Sequence, residues 1–407
     1  MQPSHAACAR PVYEAAILET ARSSGRLALV GDRRLGKSTL VERTLSKAKE
    51  PVLRWDFHQI LSMDDIVRRA AEEFDVFVRN LSPVARRITP WLREVGLGIE
   101  NLRVSYHGIG ADLRVGAPTD HLKRLLGYVA QVASRRKLCL FIDELQEVRD
   151  RLPKREGDAV LGILRSEIQR LDVPCFFAGS ARESFRGIFV SEASPFFDSA
   201  RLLEVEPIPP QDFRQFLREQ FSRGGRMLPL ETGDVLLSIG GPSPNDVQHL
   251  AHETWNTSGV GLVGTLEIHA ALSKILSDIA PMGEAWLEQL TKRQARTLLA
   301  IALFNHLPAT SAEFLRIAGL RNPGGLSSAL RPCMHGHEPI VEKLGKSYRV
   351  RSRYLRIWLG AQRHIVQELI PMTRDDTMYR EAFNRVCPIG LFGTEPSSPI
   401  SKPVDFD

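Results

Sequence analysis

The stretch that most constrains the fold of this chain runs from Leu27 to Val41. Four apolar residues lead directly into Gly-Asp-Arg-Arg-Leu-Gly-Lys-Ser, and a helical pattern follows. A strand, a Gly-x-x-x-x-Gly-Lys-Ser loop and a helix in this order are typical of a phosphate-binding loop. A glycine turn that binds nothing is the weaker alternative, because chance produces such a pattern in only about one or two per cent of chains this long.

Each residue type in this loop has a physical role. Gly31 and Gly36 let the backbone curl so that its N–H groups point at phosphate oxygens, and the helix adds its positive N-terminal end. The Lys37 ammonium would reach the outer phosphates, and the Ser38 hydroxyl would help to hold Mg²⁺. We therefore expect a nucleotide to contact Gly31, Asp32, Arg33, Arg34, Leu35, Gly36, Lys37, Ser38 and Thr39.

A second informative stretch is the apolar run from Leu138 to Ile142, which ends in Asp143-Glu144. The run predicts a central strand buried on both faces, whose carboxyl end lies where such sheets bind ligands. Asp143 would hold Mg²⁺ through its water shell, and Glu144 would orient and partly deprotonate the attacking water. Taken alone the pair is also explained as a helix N-cap, but the upstream loop favours the catalytic interpretation.

Two further strands carry candidate catalytic residues. Ser180 follows a buried strand over residues 173–179, where it would sense the γ-phosphate or the attacking water; a capping serine is an equal alternative. Arg201 stands at the head of the last short strand, within residues 197–205. It would stabilise charge on the γ-phosphate, in its own chain or across a subunit interface, or else be a solvated surface arginine.

The strand–helix–strand order predicts a parallel sheet with right-handed crossovers. After Pro207 three helices follow, which we interpret as a helical lid beside the nucleotide. The helix-ending segment Gly240-Gly241-Pro242 would approach the adenine or the sugar, although an ordinary helix stop explains it equally. Residues 81–118 are the least regular part, and alternation around glycines predicts an inserted β-hairpin there.

The C-terminal third has the pattern of a winged helix-turn-helix. Helices are predicted over 291–304, 311–318 and 324–333, followed by a hairpin over 339–351. The hairpin region is basic and is a candidate for contact with the phosphates of duplex DNA. Its cations are Lys343, Lys346, Arg349, Arg351, Arg353 and Arg356. Such domains also bind proteins, and a basic hairpin is often only solvated, so the partner class stays open.

Composition sets the broad class. The chain has 407 residues with 43% hydrophobic and 25% charged residues, which predicts a globular protein of two or three domains. A net charge of +6 permits contact with nucleic acid without requiring it. The five scattered cysteines predict buried free thiols in a reducing cytoplasm. No apolar stretch approaches the roughly 20 residues that span a bilayer, so no membrane contact is expected.

Several motifs in a familiar order resemble the archaeal-type AAA+/STAND ATPases, relatives of the origin-recognition initiators. The motifs are Gly31–Ser38, Phe141–Glu147, Ala178-Gly179-Ser180, Gly241-Pro242 and the segment Tyr348–Leu359. The resemblance implies ATP with Mg²⁺ rather than GTP, and the chain lacks an Asn-Lys-x-Asp run that would read guanine. It also implies that Lys37 and Ser38 bind phosphate and Mg²⁺, that Asp143 and Glu144 form the acidic motif, and that Ser180 and Arg201 are the first sensor and the arginine near the last strand.

The resemblance implies an α/β P-loop core followed by a helical lid and a winged helix. Together with the sequence pattern, it predicts a core over residues 1–206, a lid over 207–283 and a winged-helix domain with closing helices over 284–386. The glycines and prolines after residue 387 predict a disordered tail over 387–407. One departure matters. Where relatives often carry an arginine after Gly-x-Pro, this chain reads Ser243-Pro244-Asn245-Asp246. We therefore expect an ATP-dependent switch with slow turnover. The alternatives are an ATP-regulated DNA-binding initiator-like protein, or a signalling or defence ATPase with a protein partner, in each case with homo-oligomerisation possible.

Overall fold

The computed structural model describes residues 7–80, 117–180, 182–334, 339–344 and 347–388. The hairpin predicted within residues 81–118 lies outside the described residues except for its last two positions, and nearly all of the predicted tail lies outside them as well. Two compact units divide the chain. Residues 9–207 form the first unit, and the chain from residue 208 onward, with the N-terminal segment up to Cys8, belongs to the second.

A five-stranded parallel sheet organises the first unit, as the sequence predicts. Its strands, in the spatial order β2-β3-β4-β1-β5, are β2 Val52–Asp56, β3 Cys139–Asp143, β4 Cys175–Gly179, β1 Arg26–Val30 and β5 Arg201–Glu204. Strand β4 therefore lies between the strand that precedes the phosphate loop and the strand that ends in the two acids. The carboxyl ends of β1, β3 and β4 meet at one edge, which is where the candidate site is built.

Helices cover both faces of this sheet because its central strands are apolar on both sides. Leu27 and Leu29 face α1 and α2, whereas Ala28 and Val30 face the opposite layer. The helices are α1 Pro11–Arg22, α2 Lys37–Lys47, α3 Met63–Asn80, α4 Pro118–Ala133, α5 Glu147–Arg151, α6 Lys154–Arg170 and α7 Arg182–Val190. The first unit is thus a three-layer α/β/α sandwich.

The second unit begins with helices and two short strands. These are α8 Pro210–Ser222, β6 Arg226–Met227, α9 Leu230–Gly240, α10 Pro244–Thr257, β7 Gly261–Leu262 and α11 Thr265–Glu288. Helix α9 ends where Gly241 adopts a φ of +70°, so the glycine pair acts as a helix stop. The sequence predicted α8, α9 and α10, but it predicted neither α11 nor the two short strands.

Three helices and a hairpin follow, in the winged-helix order that the sequence predicts. They are α12 Lys292–Phe304, α13 Ala312–Ala318, α14 Gly324–Met334 and the antiparallel strands β8 Val341–Leu344 and β9 Ser347–Val350, with Val341 opposite Val350. The chain then closes with α15 Arg353–Ala361, α16 Arg363–Leu369, a 3-10 turn Pro371–Arg374 and α17 Asp376–Asn384.

Helix α11 differs from the sequence expectation. The pattern predicts a change after Pro281 and a domain boundary at 283/284, but the helix continues through both points to Glu288. Packing outweighs the loss of one backbone hydrogen bond at the proline, because Ile275, Leu276 and Leu287 are all buried. Gly283 matters here, since a Cβ at this position would come within 2.4 Å of the Trp358 ring of α15.

All five cysteines are free and buried, as predicted. Cys387 is completely buried, so the ordered chain extends past the predicted start of the tail. Burial raises the pKa of Cys139 to about 12. All five thiols belong to the cores of their units, and the raised pKa makes Cys139 a poor nucleophile.

Candidate functional site

The phosphate loop joins β1 to α2 in a backbone path that requires its glycines. A Cβ at Gly31 would come within 2.5 Å of the carbonyl oxygen of Val205, which follows β5. Gly36 adopts a left-handed conformation with a φ of +78° and caps α2. Arg34 also has a positive φ, of 64°. The tight approach and the left-handed turns curl the loop around the N-terminus of α2.

Lys37 is the first helical residue, and its side chain lies back over the loop. Its Nζ donates to the carbonyl oxygens of Gly31 and Asp32, each at 2.9 Å. The residue is 6% exposed, and burial lowers the pKa of the Lys37 ammonium from 10.5, while the nearby charges of Glu144 and Asp143 act in the opposite direction. A buried ammonium inside a phosphate-sized loop is a strong site for an anion.

Asp143 ends β3 beside the start of α2. The residue is 3% exposed, and the Ser38 hydroxyl hydrogen-bonds its carboxylate. Burial raises the pKa of Asp143 above 3.8, although the Ser38 hydrogen bond and the Arg54 guanidinium act in the opposite direction. A hydroxyl and a carboxylate beside a phosphate loop are the hard oxygen donors that Mg²⁺ prefers. The donor set therefore fits Mg²⁺ carried by a nucleotide.

Glu144 follows Asp143 in a strained left-handed turn, with a φ of 53°. The turn swings its side chain toward β4, where Ser180 Oγ donates to Glu144 Oε2 at 2.8 Å and the Ser180 backbone N–H donates to the same oxygen at 3.3 Å. A third donor is the side-chain amide of Gln146. The candidate base and the candidate sensor therefore touch each other, which the sequence could not establish.

Sequence reasoning missed three residues around this site. Gln146 is 1% exposed and lies two positions after Glu144. Arg10 is 8% exposed, donates to the Leu35 carbonyl of the loop at 3.1 Å and also hydrogen-bonds the Glu206 carbonyl. Arg54, in β2, is paired with Asp143. An arginine among the apolar residues Val52, Leu53 and Trp55 of β2 was the available signal for Arg54.

The remaining residues of the phosphate loop and of the start of α2 differ in their exposure. Leu35 is buried in the core beneath the loop, whereas Arg34 and Thr39 are exposed. Arg33 lies 3.5 Å from His58 Nδ1, just after β2. The structure therefore brings Gly31–Thr39, Asp143, Glu144 and Ser180 together at the carboxyl edge of the sheet.

Arg201 is not brought to this site by its own chain. It opens β5 opposite Leu27, at the far end of β1 from the phosphate loop, and it pairs with Glu19 of α1 at 3.3 Å. Its side chain is 62% exposed. The parallel register puts the head of β5 at the amino edge of the sheet, so the predicted own-chain role does not fit this position. A role across a subunit interface stays a prediction, as does nucleotide contact by Pro242 in the second unit.

The predicted basic surface of the winged helix is largely engaged within its own unit. Arg353 donates to the carbonyl oxygens of Ile239 and Ser238 at 2.7 and 3.1 Å, at the C-terminus of α9. Arg356 donates to the Ala302 carbonyl at 2.7 Å, at the end of α12, and burial lowers its pKa to about 10. Both arginines stabilise helix C-termini. Their contact with DNA phosphates stays a prediction.

The hairpin cations are partly paired as well. Arg349 and Arg351 both lie against Glu342 of β8. Lys343 is exposed, with its Nζ 5.8 Å from the centre of the Tyr348 ring, and Lys346 is outside the described residues. The exposed cations near α14 include Arg331 and Lys343. Arg331 and Lys343 are therefore exposed candidates for contact with DNA among the described residues.

The sheet order and the phosphate loop define a P-loop α/β fold in the first unit, and the second unit contains a winged-helix arrangement. No protein-family model matches the sequence, and no curated protein matches it either. Among solved structures, a Walker-type ATPase of Pyrococcus abyssi is similar over 87% of this chain and 96% of that chain, with a TM-score of 0.54 and 16% identity. That similarity supports the fold.

Two other solved structures are similar over most of their length. The Orc1 protein of Aeropyrum pernix in complex with DNA aligns over 90% of this chain and 95% of that chain, at 13% identity and a TM-score of 0.46. Cdc6p of Pyrobaculum aerophilum aligns over 91% and 97%, at 14% identity and a TM-score of 0.41. In the part of the chain that is described, no helix is both long and apolar enough to cross a membrane.

Proposed function

We propose that this protein binds ATP with Mg²⁺ and hydrolyses it slowly, as a nucleotide-dependent switch of the AAA+/STAND type. The observation that carries the proposal is the convergence of Lys37, Ser38, Asp143 and Glu144 at one edge of the parallel sheet. Each residue type there matches one requirement of phosphoryl transfer to water. The choice of ATP over GTP rests on the resemblance to the archaeal-type ATPases.

The residues divide the chemistry among them. Lys37 and the N-terminal amides of α2 would neutralise the phosphate charge, and Ser38 and Asp143 would hold Mg²⁺, which when bound supplies further positive charge to the phosphates. Glu144 would orient the attacking water and accept its proton. Ser180 holds the Glu144 carboxylate on the β4 side, and the same hydroxyl would sense the γ-phosphate.

Slow turnover follows from two features. Glu144 is already bound by Ser180 and by Gln146, so these hydrogen bonds must rearrange before the carboxylate can engage a water molecule. In addition, Ser243 after Gly-x-Pro serves as the N-cap of α10, and its hydroxyl accepts from the Asp246 N–H. This segment offers a helix cap where relatives often carry an arginine. We infer that binding and release of ATP carry the signal, and that hydrolysis resets it.

The test combines binding, hydrolysis and mass. Lys37→Ala is expected to abolish ATP binding, and Glu144→Gln is expected to bind ATP and fail to hydrolyse it. Lys47→Ala is the matched control, because Lys47 lies in the same helix and is exposed near Glu14. Light scattering with and without ATP measures any nucleotide-dependent assembly. In such an assembly, Arg201 of one subunit would stabilise charge on the γ-phosphate bound by its neighbour. The proposal fails if the Lys37 and Glu144 variants both bind and hydrolyse ATP like the wild-type protein.

A second candidate is an ATP-regulated protein that binds duplex DNA. It is favoured by two exposed cations of the winged-helix arrangement. Arg331 lies in its third helix, α14, and Lys343 lies in the hairpin strand β8. Affinity for duplex DNA should then fall steeply with salt, and replacing both residues with glutamate should flatten that salt dependence. Absent or salt-insensitive binding would favour a protein partner, as in a signalling or defence ATPase. ATPase measurements with and without DNA separate the two candidates.

A further inference from the structure

Arg54 lies beside the candidate metal ligand Asp143 in a position that no phosphate-loop motif assigns. It stands in β2, the neighbour of β3, and points to the same face as Asp56, two residues further on. The strand register places Asp56 directly opposite Asp143. All three side chains therefore lie on the face of the sheet that α2 covers.

The Arg54 guanidinium joins acids from three elements. Its Nη2 donates to Asp143 Oδ2 at 2.8 Å and to Asp56 Oδ2 at 3.0 Å, and its Nη1 donates to Glu42 Oε1 of α2 at 2.8 Å. The cation also lies 5.8 Å from the centre of the Phe141 ring, on the strand of Asp143. One cation thus compensates three carboxylates, of which Asp143 is the most deeply buried.

This contact fixes the orientation of Asp143 as well as its charge. Arg54 holds Oδ2, and the Glu144 backbone N–H donates to Oδ1 at 3.1 Å. Both carboxylate oxygens therefore have a donor from the protein. A divalent cation that engages Asp143 must compete with the guanidinium, because both are attracted to the same oxygen atoms.

We propose that Arg54 is a positioning residue that keeps Asp143 oriented and prevents a divalent cation from binding there without a nucleotide. This role of Arg54 rests on the proposed ATP site, and its physical basis is electrostatic. Without Arg54, the negative charges of Glu42, Asp56 and Asp143 would lose their shared cation, and the uncompensated charge beside Asp143 attracts divalent cations. With Arg54 in place, the metal must bring additional negative charge, and a nucleoside triphosphate supplies it.

The test measures metal binding rather than hydrolysis. The full chain without nucleotide is titrated with Mn²⁺, and the signal of the free ion is followed by electron paramagnetic resonance. Arg54→Gln is expected to bind Mn²⁺ at least about tenfold more tightly than the wild-type protein, because one positive charge next to the acids is removed. Arg54→Lys should restore weak binding, since it keeps the charge.

Two controls make the result specific. Arg68→Gln removes an arginine of α3 that pairs with Asp65 and Glu72, so it loses a comparable set of ion pairs elsewhere and should bind Mn²⁺ like the wild-type protein. Adding Asp143→Asn to Arg54→Gln should abolish the gained binding. Circular dichroism verifies that each variant is folded.

The outcomes decide the proposal. A folded Arg54→Gln variant with unchanged or weaker Mn²⁺ affinity would overturn it, as would a gain in affinity that survives Asp143→Asn. Binding of a fluorescent ATP analogue is measured on the same samples. Its absence from the wild-type protein would contradict the proposed function, whereas the Mn²⁺ comparison alone decides the role of Arg54.

Discussion

The Ser180 hydroxyl donates a 2.8 Å hydrogen bond to Oε2 of Glu144 and so connects the end of β4 to the acidic turn after β3. The two residues are 36 positions apart in the chain, so no local sequence pattern indicates this contact. The contact arises because β4 lies next to β3 in the sheet and both strands end at the same edge. It puts the candidate sensor in direct contact with the candidate base.

Ser180→Ala tests this relationship. We expect ATP affinity to be little changed and hydrolysis to change by about tenfold, the equivalent of one hydrogen bond to a charged group. Single-turnover hydrolysis and nucleotide binding measure the two effects separately. Ser184→Ala is the control, because Ser184 hydrogen-bonds Asp150 outside the site. Equal rate changes in both variants would argue against a specific role for the Ser180 contact.

Gly31→Ala tests the backbone of the phosphate loop. The new Cβ would lie 2.5 Å from the Val205 carbonyl oxygen, a clash that only a shift of the loop or of the chain after β5 can relieve. We expect a loss of nucleotide binding and a loss of stability of about 1–3 kcal/mol. Thermal unfolding and ATP titration are the measurements.

Gly162→Ala is the matched substitution for that experiment. Gly162 lies within α6, and nothing stands within 4 Å of an added Cβ. Because alanine is the better helix former, we expect this variant to gain about 0.5–1 kcal/mol of stability and to bind ATP normally. Destabilisation of similar size in both variants would contradict the special role of Gly31.

The ammonium of Lys37 makes ATP binding sensitive to alkaline pH. Burial lowers the pKa of Lys37 below 10.5, so the free protein loses this charge at a lower pH than an ordinary lysine does. ATP favours the charged form, and affinity should fall as pH rises through the lowered pKa. Titrations between pH 7 and about 10.5 measure the midpoint of the fall. A midpoint at or above 10.5 would contradict the prediction.

The lowered pKa of Lys37 also makes the free energy of unfolding depend on pH. In the window between its lowered folded pKa and 10.5, the unfolded chain binds more protons than the folded chain at this residue. The contribution of Lys37 to the free energy of unfolding therefore increases as pH rises through that window. Lys37→Met should remove this increase, which urea titrations of the two proteins at pH 8 and at about pH 10 can measure.

Arg353→Met separates a structural arginine from a phosphate contact. The guanidinium donates to two carbonyls at the end of α9, so its loss should cost about 1–3 kcal/mol of stability. Arg331→Met, at an exposed position of α14, should cost almost nothing. Urea unfolding gives the free energies, and a DNA-binding assay accompanies it. Weakened DNA binding without a loss of stability in Arg353→Met would restore the role that the sequence suggested.

Local sequence signals were sufficient for most of the fold. The apolar runs that end at Val30, Asp143 and Gly179 predicted three of the central strands, because a strand buried on both faces needs a continuous apolar stretch. The phosphate loop could be recognised because its glycines and its lysine lie within one short stretch, Gly31–Lys37. Helix α11 was misjudged at Pro281, where packing against Trp358 and its neighbours overrides a local helix breaker.

Charged side chains were the hardest to interpret, as Arg54, Arg201 and Arg353 illustrate. In the sequence nothing indicates which group each of these cations contacts. In the structure the first compensates three acids, the second faces away from the phosphate loop, and the third stabilises the end of a helix more than a hundred residues away in the chain. The partners of a long charged side chain are set by strand register and helix packing, which single residues do not encode.

The sequence by itself determined that this protein builds a phosphate loop on a parallel sheet, because those residue types at that spacing have few other stable conformations. The tertiary structure decided which acids, hydroxyls and cations surround that loop. Strand order brings Ser180 to Glu144 and Arg54 to Asp143, and register turns Arg201 to the opposite edge. The physical reason is that backbone geometry follows local residue preference, whereas electrostatic contacts depend on distances that only the folded chain defines.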